Sequence, residues 1–136
     1  MKKHIAIFVG TAIDDILSGK KTIESRFSIS RVLPYGEISK DDIIFLKKSG
    51  GDIIGQAIAD NVLYYDNLTK NSVEILKREY TDQILATNSY WESKKNSKFG
   101  TLIFLKKPKR FAFSVKFKKK DRRPWILTDG LKKPKD

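Results

Sequence analysis

The sequence predicts an α+β fold: a small, partly open β-barrel of five to six strands with two or more helices. Three observations carry this reading. Short apolar runs and period-two alternations recur along most of the chain, as strands require. Two stretches show helical spacing instead, one near the start and one midway. A chain of 136 residues with 40% apolar side chains suffices for one domain that folds without disulfides or metals.

His4 to Val9 reads as a buried strand, with Ile5, Ile7 and Val9 on one face. Lysines ahead of it give a loose likeness to a secretion signal. The apolar run is short, however, and Asp14 and Asp15 follow at once, so it is read as a strand. Thr11 is expected to cap a short helix, with Asp14 in an aspartate version of the capping box. Ile13, Ile16 and Leu17 form its apolar stripe and Gly19 ends it. Residues 20–27 read as extended, with Lys21, Ile23, Ser25 and Phe27 on one face and Thr22, Glu24 and Arg26 on the other. An irregular stretch around Pro34-Tyr35-Gly36 follows. Ile43 to Leu46 reads as a buried strand. A turn over 47–52 folds Ile53 to Ala59 back as a hairpin, in which Gly55 marks a bulge or a close backbone approach.

Thr69 opens the second helix, with Val73, Leu76, Tyr80 and Ile84 near helical spacing. Asn88 to Asn96 reads as a loop carrying Tyr90 and Trp91. Thr101 to Leu105 reads as a strand that turns at Lys106-Lys107-Pro108. In the next strand Phe111, Phe113, Val115 and Phe117 alternate with Ala112, Ser114, Lys116 and Lys118, which assigns the apolar stripe to the core. A basic turn leads to a last short strand, Trp125-Ile126-Leu127. The domain is expected to span 1–127, with 128–136 as a frayed tail.

The net charge of +12 is concentrated. Residues 1–93 hold 12 basic and 13 acidic side chains, whereas residues 94–123 hold 13 basic ones and a single acid, Asp121. Such a segment attracts polyanions, because each neutralised phosphate releases condensed counterions. The partner expected is RNA or a nucleoside- or nucleotide-like ligand. A membrane surface is not, since the segment reads as strand and not as amphipathic helix. No run of 18 apolar residues is present. The absence of cysteine excludes disulfides, thiol catalysis and Cys-ligated zinc. A single histidine, His4, excludes His-rich metal sites. Glu24, Asp41, Asp42 and Asp52 are scattered, so no metal and no cofactor is expected. The composition fits a cytoplasmic protein; oligomeric state is left open.

The segment Gly19-Lys20-Lys21-Thr22-Ile23-Glu24-Ser25-Arg26 resembles the G-x-K-x-x-E-x-R signature of the ASCH domain family. The elements around it have the order of that family, a strand and short helix before it and a hairpin after it. The resemblance implies a PUA-like β-barrel. The Tyr90-Trp91 segment and the basic C-terminal hairpin are also similar to the wider PUA-like group, including EVE and YTH domains. It implies several possible activities, from RNA binding to single-strand ribonuclease to N4-acylcytidine amidohydrolase, and leaves open whether this chain is an enzyme. The amidohydrolases are similar to this chain at Gly19, Lys21, Thr22, Ile23 and Arg26. They carry a threonine where it has Glu24. Lys21 matches their lysine, and Glu74 is the candidate for their glutamate. If the chain is an enzyme, the resemblance implies Lys21, Glu24 and Glu74 as its catalytic residues.

Residue chemistry adds the ligand-binding candidates. Arg26 can donate two parallel hydrogen bonds to a phosphate or a base edge. Glu24 accepts only; it either reads an exocyclic amine or holds Arg26 in place. Lys21 points away from both in an ideal strand, unless a bend after Gly19 returns it. Tyr90 and Trp91 are candidates for base stacking or for core. Lys118, Lys120, Arg122 and Arg123 are candidates for contacts to the nucleic-acid backbone.

Overall fold

The apolar alternation at the N-terminus forms β1 (Lys3–Phe8), and the stretch behind it forms α1 (Ala12–Leu17). The computed structural model describes residues 1–118 and 122–131. After α1 come β2 (Ile23–Ser28), β3 (Ile43–Lys48) and β4 (Ile53–Tyr65). Then follow α2 (Lys70–Ile84), α3 (Asn88–Lys94), β5 (Phe99–Val115) and β6 (Trp125–Thr128). Six strands make one sheet in the order β2-β5-β4-β3-β1-β6. Among the described residues only β1 and β3 pair in parallel; the other neighbours are antiparallel. The sheet curls into a half-barrel, the partly open PUA-like barrel of an α+β chain. Among the described residues no helix is long and apolar enough to cross a membrane.

Three apolar clusters hold the sheet. Ile13 and Ile16 of α1 pack on Ile44, Leu46, Ile103 and Trp125 inside the curl. On the other side α2 and α3 lay Val73, Leu76, Ile84 and Trp91 against Ile23, Phe27 and Leu102. A third cluster joins Ile5, Phe45 and Ile53 to Phe111, Val115, Phe117 and Leu131. Thr69 starts α2 with a reciprocal capping box shared with Ser72. His4 is fully buried: Trp125 Nε1 donates to its Nδ1 at 2.9 Å, so Nε2 carries the proton and donates to Asp42 Oδ2 at 2.9 Å.

Several expectations are corrected. Residues 88–94 form a helix, because Thr87 caps Tyr90 N–H and Trp91 supplies a core anchor. Thr11 does not cap α1 with its side chain; its hydroxyl donates to the Asp15 carboxylate instead. Lys106-Lys107-Pro108 is not a turn, since β5 runs through it. The pairing with β4 slips between Gln56 and Ile58, and the extra residue of this bulge absorbs a proline that has no N–H to donate. The phenylalanine stripe also breaks. Between the pairs Ile53↔Val115 and Gly55↔Arg110, β5 has five steps against two on β4. Phe111 and Val115 still reach the core, but Phe113 is 83% exposed. Gly55 fits its expectation: a Cβ there would lie 2.6 Å from the Lys109 carbonyl oxygen.

Candidate functional site

Gly19 takes a left-handed backbone (φ +83°) and redirects the chain out of α1. Lys21 N–H then donates to Asp15 O, and Thr22 N–H to Gln83 O, so the segment is tied to α1 and to the end of α2. Lys21 therefore precedes β2 and does not follow its alternation. Its ammonium donates to Ile84 O at 2.7 Å and lies 3.2 Å from Glu24 Oε1. The bend does what the linear pattern left open: it brings Lys21, Glu24 and Arg26 together.

Glu24 is the centre of this group and is buried. Oε1 accepts from Ser25 N–H at 3.1 Å and faces Lys21. Oε2 accepts from Arg26 Nε at 2.9 Å and lies 2.8 Å from Nη2. Burial alone would raise the Glu24 pKa, but the charges and hydrogen bonds of Arg26 and Lys21 outweigh it and hold the carboxyl below its ordinary range. A carboxylate offers about four lone-pair sites. Those of Glu24 are taken by its own neighbours, so it holds the two cations in place and has no acceptor left for an exocyclic amine.

Arg26 also closes the barrel. β2 is one edge of the sheet, while β1 and β6 lie at the other. The guanidinium spans the gap: Nη2 donates to Ile7 O at 3.1 Å and Nη1 to Pro124 O at 3.4 Å. It sits 5.0 Å from the Phe8 ring centroid and 5.2 Å from that of Trp125.

A cavity of about 620 Å³ opens beside this group and wraps the free edge of β2. Lys21, Glu24, Arg26, Ser25, Tyr90, Thr101 and Lys94 line it, with Asp15 and a rim that includes Val9, Val32 and Leu85. Its volume lies within the roughly 300–1,000 Å³ usual for small-ligand sites. Tyr90 bonds Ser25 twice: its hydroxyl shares a hydrogen with Ser25 Oγ at 2.6 Å and donates to Ser25 O at 3.3 Å. Burial pushes the phenol well above its ordinary pKa, so it stays protonated. Lys94 Nζ stands 5.7 Å from the Tyr90 ring centroid, at the mouth.

The predicted residues divide as follows. Lys21, Glu24, Arg26 and Tyr90 line the cavity. Trp91 does not; it is 3% exposed, packs against Phe27, and donates through Nε1 to Thr81 Oγ1. Glu74 is an exposed residue of α2 outside the cavity lining. Lys118 lines a second cavity, Arg122 and Arg123 are exposed, and Lys120 lies outside the described residues. Sequence reasoning missed Ser25 and Thr101, and placed Lys94 only in the basic segment, not beside the cavity. Thr101 sits opposite Arg26 in the β2–β5 register, a placement only strand pairing reveals. Among the described residues no cluster of three His, Asp or Glu side chains could hold a metal.

The architecture has solved counterparts. A crystal structure of ASCH from Zymomonas mobilis matches with a TM-score of 0.63 over 80% of this chain and 70% of that one, at 19% identity. A single-substitution variant of it reaches 0.71 over 93% and 88%, at 16% identity. The fold is that of an ASCH domain. The crystal structure of hypothetical protein PH0355 is similar to this ASCH-like chain at a TM-score of 0.54 over 79% and 99%, with 21% identity. No family model matches the sequence, and no curated protein matches it.

Proposed function

We propose that this ASCH-like domain binds RNA, taking one nucleotide into the Lys21–Glu24–Arg26 cavity while basic side chains of residues 94–123 follow the phosphate backbone. The observation that carries the reading is the saturation of Glu24. With that carboxylate occupied, the core of the site offers donors, a third hydrogen on Lys21, one on Arg26 Nη1 and the Thr101 hydroxyl, while Asp15, the second carboxylate of the lining, accepts from Thr11. Lys94 adds a cation at the mouth. Such a lining complements a phosphate or the carbonyl edge of a base.

The charge of the later segment supports the second half. Lys95 and Arg110 are paired with Glu92 and Asp14, and Lys106 with Asp41 and Asp60. Lys98, Lys107, Lys109, Lys116 and Lys118 are exposed and, among the described residues, have no ion pair. RNA is favoured over duplex DNA because α2, the longest helix, mixes Lys70, Lys77 and Arg78 with Glu74, Glu79 and Asp82 and presents no basic recognition face. The enzymatic alternatives have less support: Glu74 is outside the cavity, and Glu24 is fixed as an ion-paired carboxylate.

Equilibrium binding of a labelled single-stranded RNA over a salt series tests this. The slope of log K against log[salt] is expected to be about −0.7 per phosphate neutralised, several units in all. Lys21→Met is expected to weaken binding by about 10- to 150-fold, since a hydrogen bond to a charged group contributes roughly 1.5–3 kcal/mol. A salt-insensitive affinity, or a folded Lys21→Met protein with unchanged affinity, would refute the proposal.

A further inference from the structure

A second cavity, of about 420 Å³, lies beneath the β3–β4 hairpin. It shares Ile7 with the first, so both cavities adjoin the end of β1. Lys47, the turn at Gly50-Gly51, Asp52, Lys116 and Lys118 line it.

Lys47 is the unusual member. It belongs to β3 and is only 5% exposed, yet it lines this cavity. Its ammonium donates to Lys48 O at 3.2 Å and, among the described residues, has no carboxylate within ion-pairing distance. Two of its three hydrogens are left over. Among the described residues Lys21 is the other buried lysine and has Glu24 beside it, whereas Lys47 has no such partner. A buried ammonium without a counter-charge is costly, and buried cations are ordinarily paired. The cavity supplies the reverse of a partner. Among the described residues, Lys116 and Lys118 are further cations without an ion pair, and the one carboxylate in the lining, Asp52, accepts from Ser114 Oγ at 3.1 Å. Among the described residues, three lysines and one carboxylate therefore line a hollow large enough for a tetrahedral oxyanion.

We propose that this cavity is a phosphate subsite, in which Lys47, Lys116 and Lys118 hold a phosphodiester of the strand whose nucleotide enters the first cavity. The RNA source of that phosphate rests on the function proposed above; the oxyanion chemistry does not. An RNA strand passing the end of β1 would be held at two points, by a nucleotide in the first cavity and a backbone phosphate in the second.

Two measurements separate these claims. Inorganic phosphate is titrated into the protein at constant ionic strength, with chloride as the balancing anion, and backbone amide shifts are followed by NMR. Saturable shifts are expected at residues 47–52 and 116–118, and they are expected to vanish in Lys47→Met. The double variant Lys116→Ala/Lys118→Ala, which alters only exposed side chains, serves if Lys47→Met does not fold. In the labelled-RNA salt series, either variant is expected to reduce the slope by about 0.7, one phosphate, without abolishing binding. If phosphate shifts the wild type alone while no variant or wild type binds RNA, the subsite stands as one for a free or nucleotide phosphate and the RNA reading falls. If RNA binds with the same slope in every variant and phosphate shifts nothing, the subsite is overturned and the RNA reading stands.

Discussion

Replacing Arg26 by methionine separates a residue that holds the barrel shut from one that mainly faces a ligand. The substitution keeps most of the side-chain volume and removes the guanidinium. Glu24 loses both partners on Oε2, and the bond from Nη2 to Ile7 O disappears with the longer one to Pro124 O. Breaking a buried ion pair by removing one partner costs about 3–5 kcal/mol. The Arg26 side chain is 18% exposed, which places it at the lower end of that range. The contacts with the Phe8 and Trp125 rings contribute about 0.5–1 kcal/mol each, and methionine retains part of their packing. The expected loss is about 3–4 kcal/mol, or on the order of 10 °C in Tm for a domain of this size. Urea denaturation measures it: the midpoint should fall while the m-value stays constant. Combining the change with Glu24→Gln should cost less than the sum, because each partner is already without the other. Lysine at position 26 should recover little, since an ammonium cannot fork onto Glu24 and reach both carbonyls. A loss below about 1 kcal/mol would refute the reasoning, because a buried pair broken on one side cannot be so cheap.

Three further outcomes are expected. Asp42 is buried, which alone would raise its pKa, but hydrogen bonds from His4 and from the Lys2 and Ser39 N–H groups outweigh this and hold it below its ordinary value. The unfolded chain takes up this proton first, at about pH 3.9, so the contribution is complete above that pH and is lost as pH falls through the lower folded value. Urea midpoints measured from pH 7 down to pH 2.5 should therefore fall at the acid end, less steeply in Asp42→Asn; parallel curves would contradict the assignment. Gly55→Ala puts a Cβ against the Lys109 carbonyl and should destabilise by about 1–3 kcal/mol, checked by thermal melting. Phe113→Ser should change stability by no more than about 0.5 kcal/mol, since an exposed side chain away from core and caps leaves no cavity.

The legibility of the chain in sequence followed the range of the interactions involved. Alternation in β1, β3 and β4 and the helical spacing after Thr69 are local patterns, and the corresponding elements formed, although β1 ends at Phe8 and leaves the expected Val9 exposed, and β4 runs on past the expected Ala59 to Tyr65. Phe113 misled because period-two reasoning holds only while the register holds, and a bulge on β5 suspends it. The segment around Tyr90 and Trp91 read as a loop because its polar composition hid one apolar anchor and one cap. Trp91 took the core position and Tyr90 the site, a division that polar composition cannot make.

The sequence by itself determined that opposite charges stand close together after the first helix, that a single segment carries the excess of positive charge, and that the strands outnumber the helices. These are properties of neighbours along the chain. Only the tertiary structure decided what the charges face. The left-handed turn at Gly19 and the ties to Asp15 and Gln83 bring Lys21 onto Glu24, and the curl of the sheet carries Ile7 and Pro124 within reach of Arg26. Lys47 gives no sign in sequence of being special. It becomes so because the strands on both sides bury it and none supplies a carboxylate. Burial and the direction of a side chain depend on which distant segments arrive beside it, and that is fixed by packing across the sheet, not by spacing along the chain.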